Sequence, residues 1–190
     1  MIKKVKFSLA EIIFYLILLA VIVIFPFIGS FASVSGDSMY PTLHNKDYLF
    51  VSKISKINKG DIVIIKRDNE SRYLVKRVIG VSGDKIKFSD DKLYVNDELS
   101  EEDYINKEEG LVYTDYSETV ADDCYYVLGD NRNHSGDSRM FGDVKRNEII
   151  GVVKCNLSSF GITRKKLYFI SFAILLVLLF FHPHKARNME

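Results

Sequence analysis

The chain has no large excess of charge of either sign: 26 Lys and Arg stand against 25 Asp and Glu over 190 residues, a formal net charge of +1. A nucleic-acid partner is therefore not suggested, since gripping a phosphate backbone takes a basic surface. Cysteine is scarce. Cys124 and Cys155 lie far apart without metal-type spacing, so neither a zinc site nor a redox pair is indicated. They are either buried free thiols or partners in one disulfide. Between the two ends of the chain no long stretch repeats with helical period. Disorder is excluded as well, because the 27% of charged residues are balanced by 47% hydrophobic ones.

What is present divides sharply. Residues 8–32 and 167–181 hold most of the long apolar runs, and the roughly 130 residues between them suit one domain. Lys3, Lys4 and Lys6 precede the run Ile12 to Ile28, which reaches about 20 residues with its weakly polar flanks, the length of a bilayer core. Cations before it and few after it predict a cytoplasmic N-terminus. A cleaved secretory signal competes with this reading, because Ser30-Phe31-Ala32 has the small-x-small form of a cleavage site. The C-terminal run Leu167 to Phe181 is about 15 residues, about 22 Å as a helix, and is read as a second membrane helix with a buried core helix as the alternative. Flanking Arg164, Lys165, Lys166, Lys185 and Arg187 can snorkel toward headgroups. The expected division is a cytoplasmic tail and anchor over 1–32, an extracytoplasmic β-rich domain over 33–163, and a second transmembrane segment and tail over 164–190.

The middle reads as β. Tyr48 to Ile54, Asp61 to Lys66 and Tyr73 to Val81 are Val- and Ile-rich runs bounded by turn residues. Lys85 to Ser89 and Lys92 to Asn96 alternate around Asp90-Asp91 and predict a hairpin. Leu111 to Val120, Cys124 to Leu128 and Ile149 to Asn156 supply further strands, and the acidic run from Asp97 to Glu109 is expected to be a solvated excursion. The fold class is mainly β, with antiparallel sheets.

Three stretches carry the chemistry. In Gly36-Asp37-Ser38-Met39-Tyr40-Pro41-Thr42-Leu43 a serine between flexible and rigid neighbours is set to be presented by a turn, which makes Ser38 the candidate nucleophile. In Tyr73 to Ile79, alternation puts Leu74, Lys76 and Val78 on one face and Val75, Arg77 and Ile79 on the other. Lys76 then sits between apolar neighbours, where desolvation disfavours a charged amine, and a neutral amine can serve as general base to a serine. The third stretch, Gly129 to Arg139, is dense in hydrogen-bonding groups of the kind that orient a site. His134 within it, or His44, would support a Ser-His-Asp reading instead.

With these residues in view, the chain resembles the bacterial type I signal peptidases, membrane-bound Ser/Lys proteases that remove signal peptides from exported proteins. The match runs through GDSMYPTL at 36–43, KGDIV at 59–63, YLVKRVIGVSGD at 73–84 and GDNRNHSGDSRMFG at 129–142, in the family's order. The resemblance implies Ser38 as nucleophile, Lys76 as general base and a hydrogen bond from Ser135 to the lysine amine. Asp130, Asp137, Arg77 and Arg139 are implied as the polar frame of the site. It implies no cofactor and no metal, and as partners the signal peptides of preproteins and membrane lipid. Oligomeric state is not specified.

The chain departs from the family pattern in three places. Some members carry a serine two positions before the nucleophile, where this chain has Gly36, so the oxyanion hole is expected to rest chiefly on backbone N–H groups such as that of Ser38. Val81-Ser82-Gly83-Asp84 lacks a usual proline, and a C-terminal membrane run occurs in only part of the family. Val34, Met39, Leu43 and Val75 adjoin the dyad in sequence and are expected to line shallow apolar pockets. The rival functions are a self-cleaving repressor-type Ser/Lys domain, a non-catalytic signal-peptidase-like assembly factor for surface structures, and a simple anchored binding domain. The first would need a DNA-binding module where this chain has an apolar run. Loss of the serine or the lysine would mark the second, and the third leaves the Asp130 to Arg139 loop unexplained.

Overall fold

The computed structural model describes residues 8–67, 73–105, 114–169 and 171. Its first element, helix α1 (Leu9–Ile28), starts at a capping box: the Glu11 N–H donates to Ser8 Oγ, and the Ser8 N–H donates to the Glu11 carboxylate at 2.6 Å. Twenty residues at 1.5 Å each give about 30 Å, enough to cross a bilayer core. None of its residues is buried against the rest of the protein. The chain then passes without a spacer into β1 (Gly29–Ser33). Lys53 Nζ donates to the Pro26 carbonyl at 2.8 Å, and Phe25 packs on Phe31 and Phe50, so the helix end is fastened to the sheet.

Ten further strands follow: β2 (Tyr48–Ser52), β3 (Ile62–Lys66), β4 (Tyr73–Val81), β5 (Lys85–Ser89), β6 (Lys92–Val95), β7 (Glu98–Leu99), β8 (Tyr116–Thr119), β9 (Cys124–Leu128), β10 (Val144–Lys145) and β11 (Ile149–Asn156). All of their pairings are antiparallel. They form a large sheet in the order β1-β2-β11-β3-β4-β9-β10 and a small one in the order β7-β6-β5-β8. The expected spans of β4, β5, β9 and β11 are met at both ends. The strand expected over Leu111 to Val120 is described from residue 114, and its ladder covers Tyr116–Thr119.

Apolar alternation sets where the core lies. Val63, Ile65, Val78, Val127 and Val152 pack on one face of the large sheet, with Leu74 against them. On the other face Val34, Met39, Leu43, Leu49, Val51 and Ile64 form a second cluster, with Val75 against it. Ile79, Tyr126 and Leu128 meet Ile86, Phe88 and Leu93 of the small sheet in a third. The predicted hairpin turns through Asp90 and Asp91 with φ of 51° and 56°, the left-handed pair that suits strand twist. Asn96 and Asp97 make a second such turn, which folds β7 back onto β6.

That second turn corrects the reading of the acidic run. Its first half is not a solvated excursion, because Glu102 is 8% exposed and pairs with the buried Arg132. Residues 106–109 of the run lie outside the described residues. The cysteines are both free, Cys124 buried and Cys155 half-buried, so the disulfide alternative does not hold. Burial, reinforced by the Asp143 and Asp123 carboxylates, pushes the Cys124 thiol up from its ordinary value. Of the expected C-terminal membrane helix, residues 164–169 and 171 are helical and the remainder falls outside the described residues.

Candidate active site

The 34–47 loop is closed at its base by the Val34 N–H donating to the Asp47 carbonyl and the Lys46 N–H donating to that of Val34. Met39 and Leu43 anchor it in the core at 1% and 3% exposure. Turn bonds from the Tyr40 N–H to the Asp37 carbonyl and from the Leu43 N–H to the Met39 carbonyl fix the path between them. Ser38, next to an anchored residue, is thereby held in place and is itself half-buried. Gly36 has φ of 92°, a region that side-chain-bearing residues enter at a cost.

Lys76 comes from β4, where it pairs with Val63 of β3. Leu74 and Val78 flank it on the same face, as alternation predicts, and Lys76 is 2% exposed. Its Nζ lies 2.8 Å from Ser38 Oγ, with the amine donating to the hydroxyl oxygen. The same separation serves a proton moving the other way, from the hydroxyl to a neutral amine.

The 129–139 loop fits around this pair. The Asn131 N–H donates to the Ser38 carbonyl at 3.1 Å, and Asn131 Nδ2 donates to that of Asp37. Asp130 is fully buried and takes a two-pronged ion pair from Arg77, at 2.8 Å from Nε and 2.6 Å from Nη2. Arg77 also donates to the Gly60 carbonyl and to Thr42 Oγ1. One guanidinium thus ties together residues from all four sequence blocks. Asp137, also fully buried, pairs with Arg139 through both oxygens at 2.8 Å and caps the short helix α2 (Ser138–Phe141). Asp137 Oδ2 accepts the Gly129 N–H at 3.0 Å. Burying a carboxylate is costly unless such partners surround it, and here they do.

Gly129 follows Leu128, which pairs with Arg77, so it stands one step along the ladder beside Lys76. A Cβ there would meet the Ser135 hydroxyl and come within 2.5 Å of the Ser38 carbonyl oxygen. The absent side chain is what lets the loop close on Ser38. The bond from Ser135 to the lysine amine is not formed: Ser135 Oγ is buried with no hydrogen-bond partner among the described residues. Its hydroxyl lies against the α-carbon of Gly129. His134 and His44 are both exposed, and the His44 ring packs edge-on against Tyr40. Lys76, not a histidine, meets Ser38.

A cleft of about 510 Å³ opens at the dyad. Val34, Met39 and Val75 line it as expected. Leu43 does not, because it is an anchor of the loop in the core beneath. The opposite wall went unforeseen: Ser30, Phe31, Ala32 and Ser33 of β1, with Ile64 and Ile150. Five residues abutting a long apolar run carry too short an alternation to separate from it, although Gly-Ser-Phe-Ala-Ser does place small residues at regular steps. Asn131 and Gly129 were also missed as individuals. Their signal was position within a loop already marked by its density of polar groups.

A family profile described as "Signal peptidase, peptidase S26" matches residues 6–157. Signal peptidase I S of Bacillus subtilis strain 168 is 37% identical over 146 residues, covering 70% of this chain and 78% of that protein. A signal peptidase I of Bacillus amyloliquefaciens is 42% identical over 134 residues, covering 64% and 69%. A crystal structure of a signal peptidase I from Enterococcus faecalis V583 superposes with a TM-score of 0.47 at 32% identity, covering 53% of this chain and 99% of that one.

Proposed function

Since the chain belongs to the signal peptidase family, peptidase S26, we propose that it is a membrane-anchored serine endopeptidase that removes N-terminal signal peptides from exported preproteins, with Ser38 as nucleophile and Lys76 as general base. The observation that carries the assignment of roles is the 2.8 Å approach of a buried lysine amine to a serine hydroxyl. In the reaction, Ser38 Oγ attacks the scissile carbonyl while Lys76 takes the hydroxyl proton and passes it to the leaving amine. Water, deprotonated by the same amine, then resolves the ester. The backbone N–H of Ser38 donates to no described residue and is the candidate donor to the oxyanion.

Substrate geometry follows from the two strands that flank the cleft. β1 ends the large sheet, and the stretch 73–76 of β4 runs past the point where β9 stops pairing with it. An extended peptide can lie between them by strand addition. Small residues at the first and third positions before the cut suit the shallow wall of Ser30, Ala32 and Ser33. Helix α1 serves as the anchor, with Lys3, Lys4 and Lys6 on the cytoplasmic side and residues 33–163 on the other.

The dyad is tested by substitution. Ser38→Ala and Lys76→Ala are expected to lower kcat for a signal-peptide substrate by at least about 10³-fold with the protein still folded. Lys76→Arg is expected to be as inactive, because a guanidinium stays charged and cannot accept the proton. Retained turnover in any of the three overturns the assignment.

A further inference from the structure

Outside the four sequence blocks, the segment after β7 touches two arginines at the site, Arg77 and Arg132. Glu102 and Tyr104 come from the acidic run, just after β7 of the small sheet. The Glu102 carboxylate grips the Arg132 guanidinium with both oxygens, from Nη1 at 2.8 Å and from Nη2. Among the described residues Arg132 is the largest fully buried side chain, and its Nε donates to the Gly129 carbonyl at 3.0 Å. Tyr104 donates its hydroxyl to Glu102 at 3.1 Å and lays its ring over the Arg77 guanidinium, 4.0 Å from the ring centre.

These contacts converge on one residue. Gly129 has its N–H held by Asp137 and its carbonyl held by Arg132, and Arg139 joins the two arms by donating to the Arg132 carbonyl at 2.7 Å. Gly129 is also the residue whose missing Cβ admits the Ser38 carbonyl. The next two residues complete the hold on the dyad: Asp130 through Arg77, beside Lys76, and Asn131 through the Ser38 carbonyl. A guanidinium buried at the position of Arg132 is costly without a carboxylate. Glu102 supplies it from a part of the chain that no catalytic block contains.

We propose that Glu102 and Tyr104 are positioning residues for the dyad, holding Gly129 and Arg77 in place from the small-sheet side. This rests on the reading of Ser38 and Lys76 as the catalytic pair. Neither residue lines the cleft at Ser38 and Lys76. Burial and the neighbouring Glu102 carboxylate together hold the Tyr104 phenol above its ordinary value, so it remains a donor at any working pH. Two-pronged ion pairs and a stacked ring set angle as well as distance, and displacement of about 1 Å at a reacting group can cost about 10²-fold in rate.

The test compares the full-length, detergent-solubilised protein with Glu102→Gln, Tyr104→Leu and Leu93→Ala. The last opens a cavity in the small-sheet core and serves as a control for lost stability alone. With a signal-peptide substrate, Glu102→Gln is expected to lower kcat by at least about tenfold and Tyr104→Leu by about fivefold, with KM within about twofold of wild type. Leu93→Ala should keep its kcat at temperatures where it is folded. Amide hydrogen exchange gives a second readout that needs no activity: the Gly129 and Asn131 N–H groups should exchange at least about tenfold faster in Glu102→Gln, with β3 unchanged. An unchanged kcat and unchanged exchange in the two variants, or losses no larger than those of Leu93→Ala at equal loss of Tm, overturn the proposal. If Glu102→Gln does not fold, Tyr104→Leu decides by the same measurements. Absence of wild-type cleavage would instead count against the peptidase reading, and the exchange data would still decide this one.

Discussion

At Lys76 a side chain that ordinarily seeks water is buried between Leu74 and Val78 and brought to a serine hydroxyl. A structural lysine has no need of that neighbour. If the lysine is the base, kcat/KM should rise with pH along a limb that His134→Ala leaves unmoved, since His134 is exposed on the loop and Ser38 is served by the amine. Disappearance of that limb in His134→Ala would return the base to the histidine. Gly129 makes a sharper case. A methyl group there would force apart the Ser135 side chain and the Ser38 backbone, so Gly129→Ala is expected to lose about 10²-fold or more in kcat. Peptide cleavage together with a melting curve checks this, and near-wild-type turnover would contradict it. Ser38 and Lys76 were legible in the sequence because each stands in a local pattern, a turn and a half-buried strand. Glu102 was not, since a carboxylate in an acidic run reads as solvated until its partner thirty residues away is known.

Among the elements, the strands longest in β-branched residues were read to the residue, and the Asp90-Asp91 turn declared its own geometry. β1 was hidden by its abrupt junction with α1, where Gly29 both caps the helix and opens the strand. The first crossing between the sheets is the turn Val81-Ser82-Gly83-Asp84, in which Gly83 has φ of 84°. No proline stiffens it. Instead Asp84 accepts the Val81 N–H at 2.9 Å and the Asn96 amide at 2.7 Å and pairs with Lys59. Burial alone would raise its carboxyl, but these partners outweigh burial and hold it below the ordinary value. A carboxyl lowered by folding stabilises the protein above its unfolded pKa, about 3.9, and that contribution is lost as pH falls through the lower folded value. Asp84→Asn is therefore expected to cost about 1 kcal/mol at pH 7, with the gap to wild type closing under acid. Urea unfolding at pH 7 and near pH 3 measures it; a gap that stays constant would contradict the assigned role.

For the molecule as a whole, the direct passage from α1 to β1 means that one wall of the cleft is the first strand after the apolar helix. Lys53 and the Phe25, Phe31 and Phe50 rings fasten that junction. With α1 in a bilayer, the dyad stays near its surface, and a substrate held by its own apolar segment meets it at raised effective concentration. A long flexible insertion between Ile28 and Gly29 should then slow processing of a membrane-inserted preprotein more than cleavage of a short soluble peptide. Equal effects on both would remove proximity from the account. The whole account stands most directly on one measurement: wild type and Ser38→Ala, each reconstituted in lipid vesicles with an inserted preprotein, followed by the N-terminal sequence of any product. Wild type is expected to yield a mature protein cut after a small-x-small site, and Ser38→Ala to leave the preprotein intact. A folded wild type that leaves it uncut, or equal cleavage by Ser38→Ala, would contradict the account.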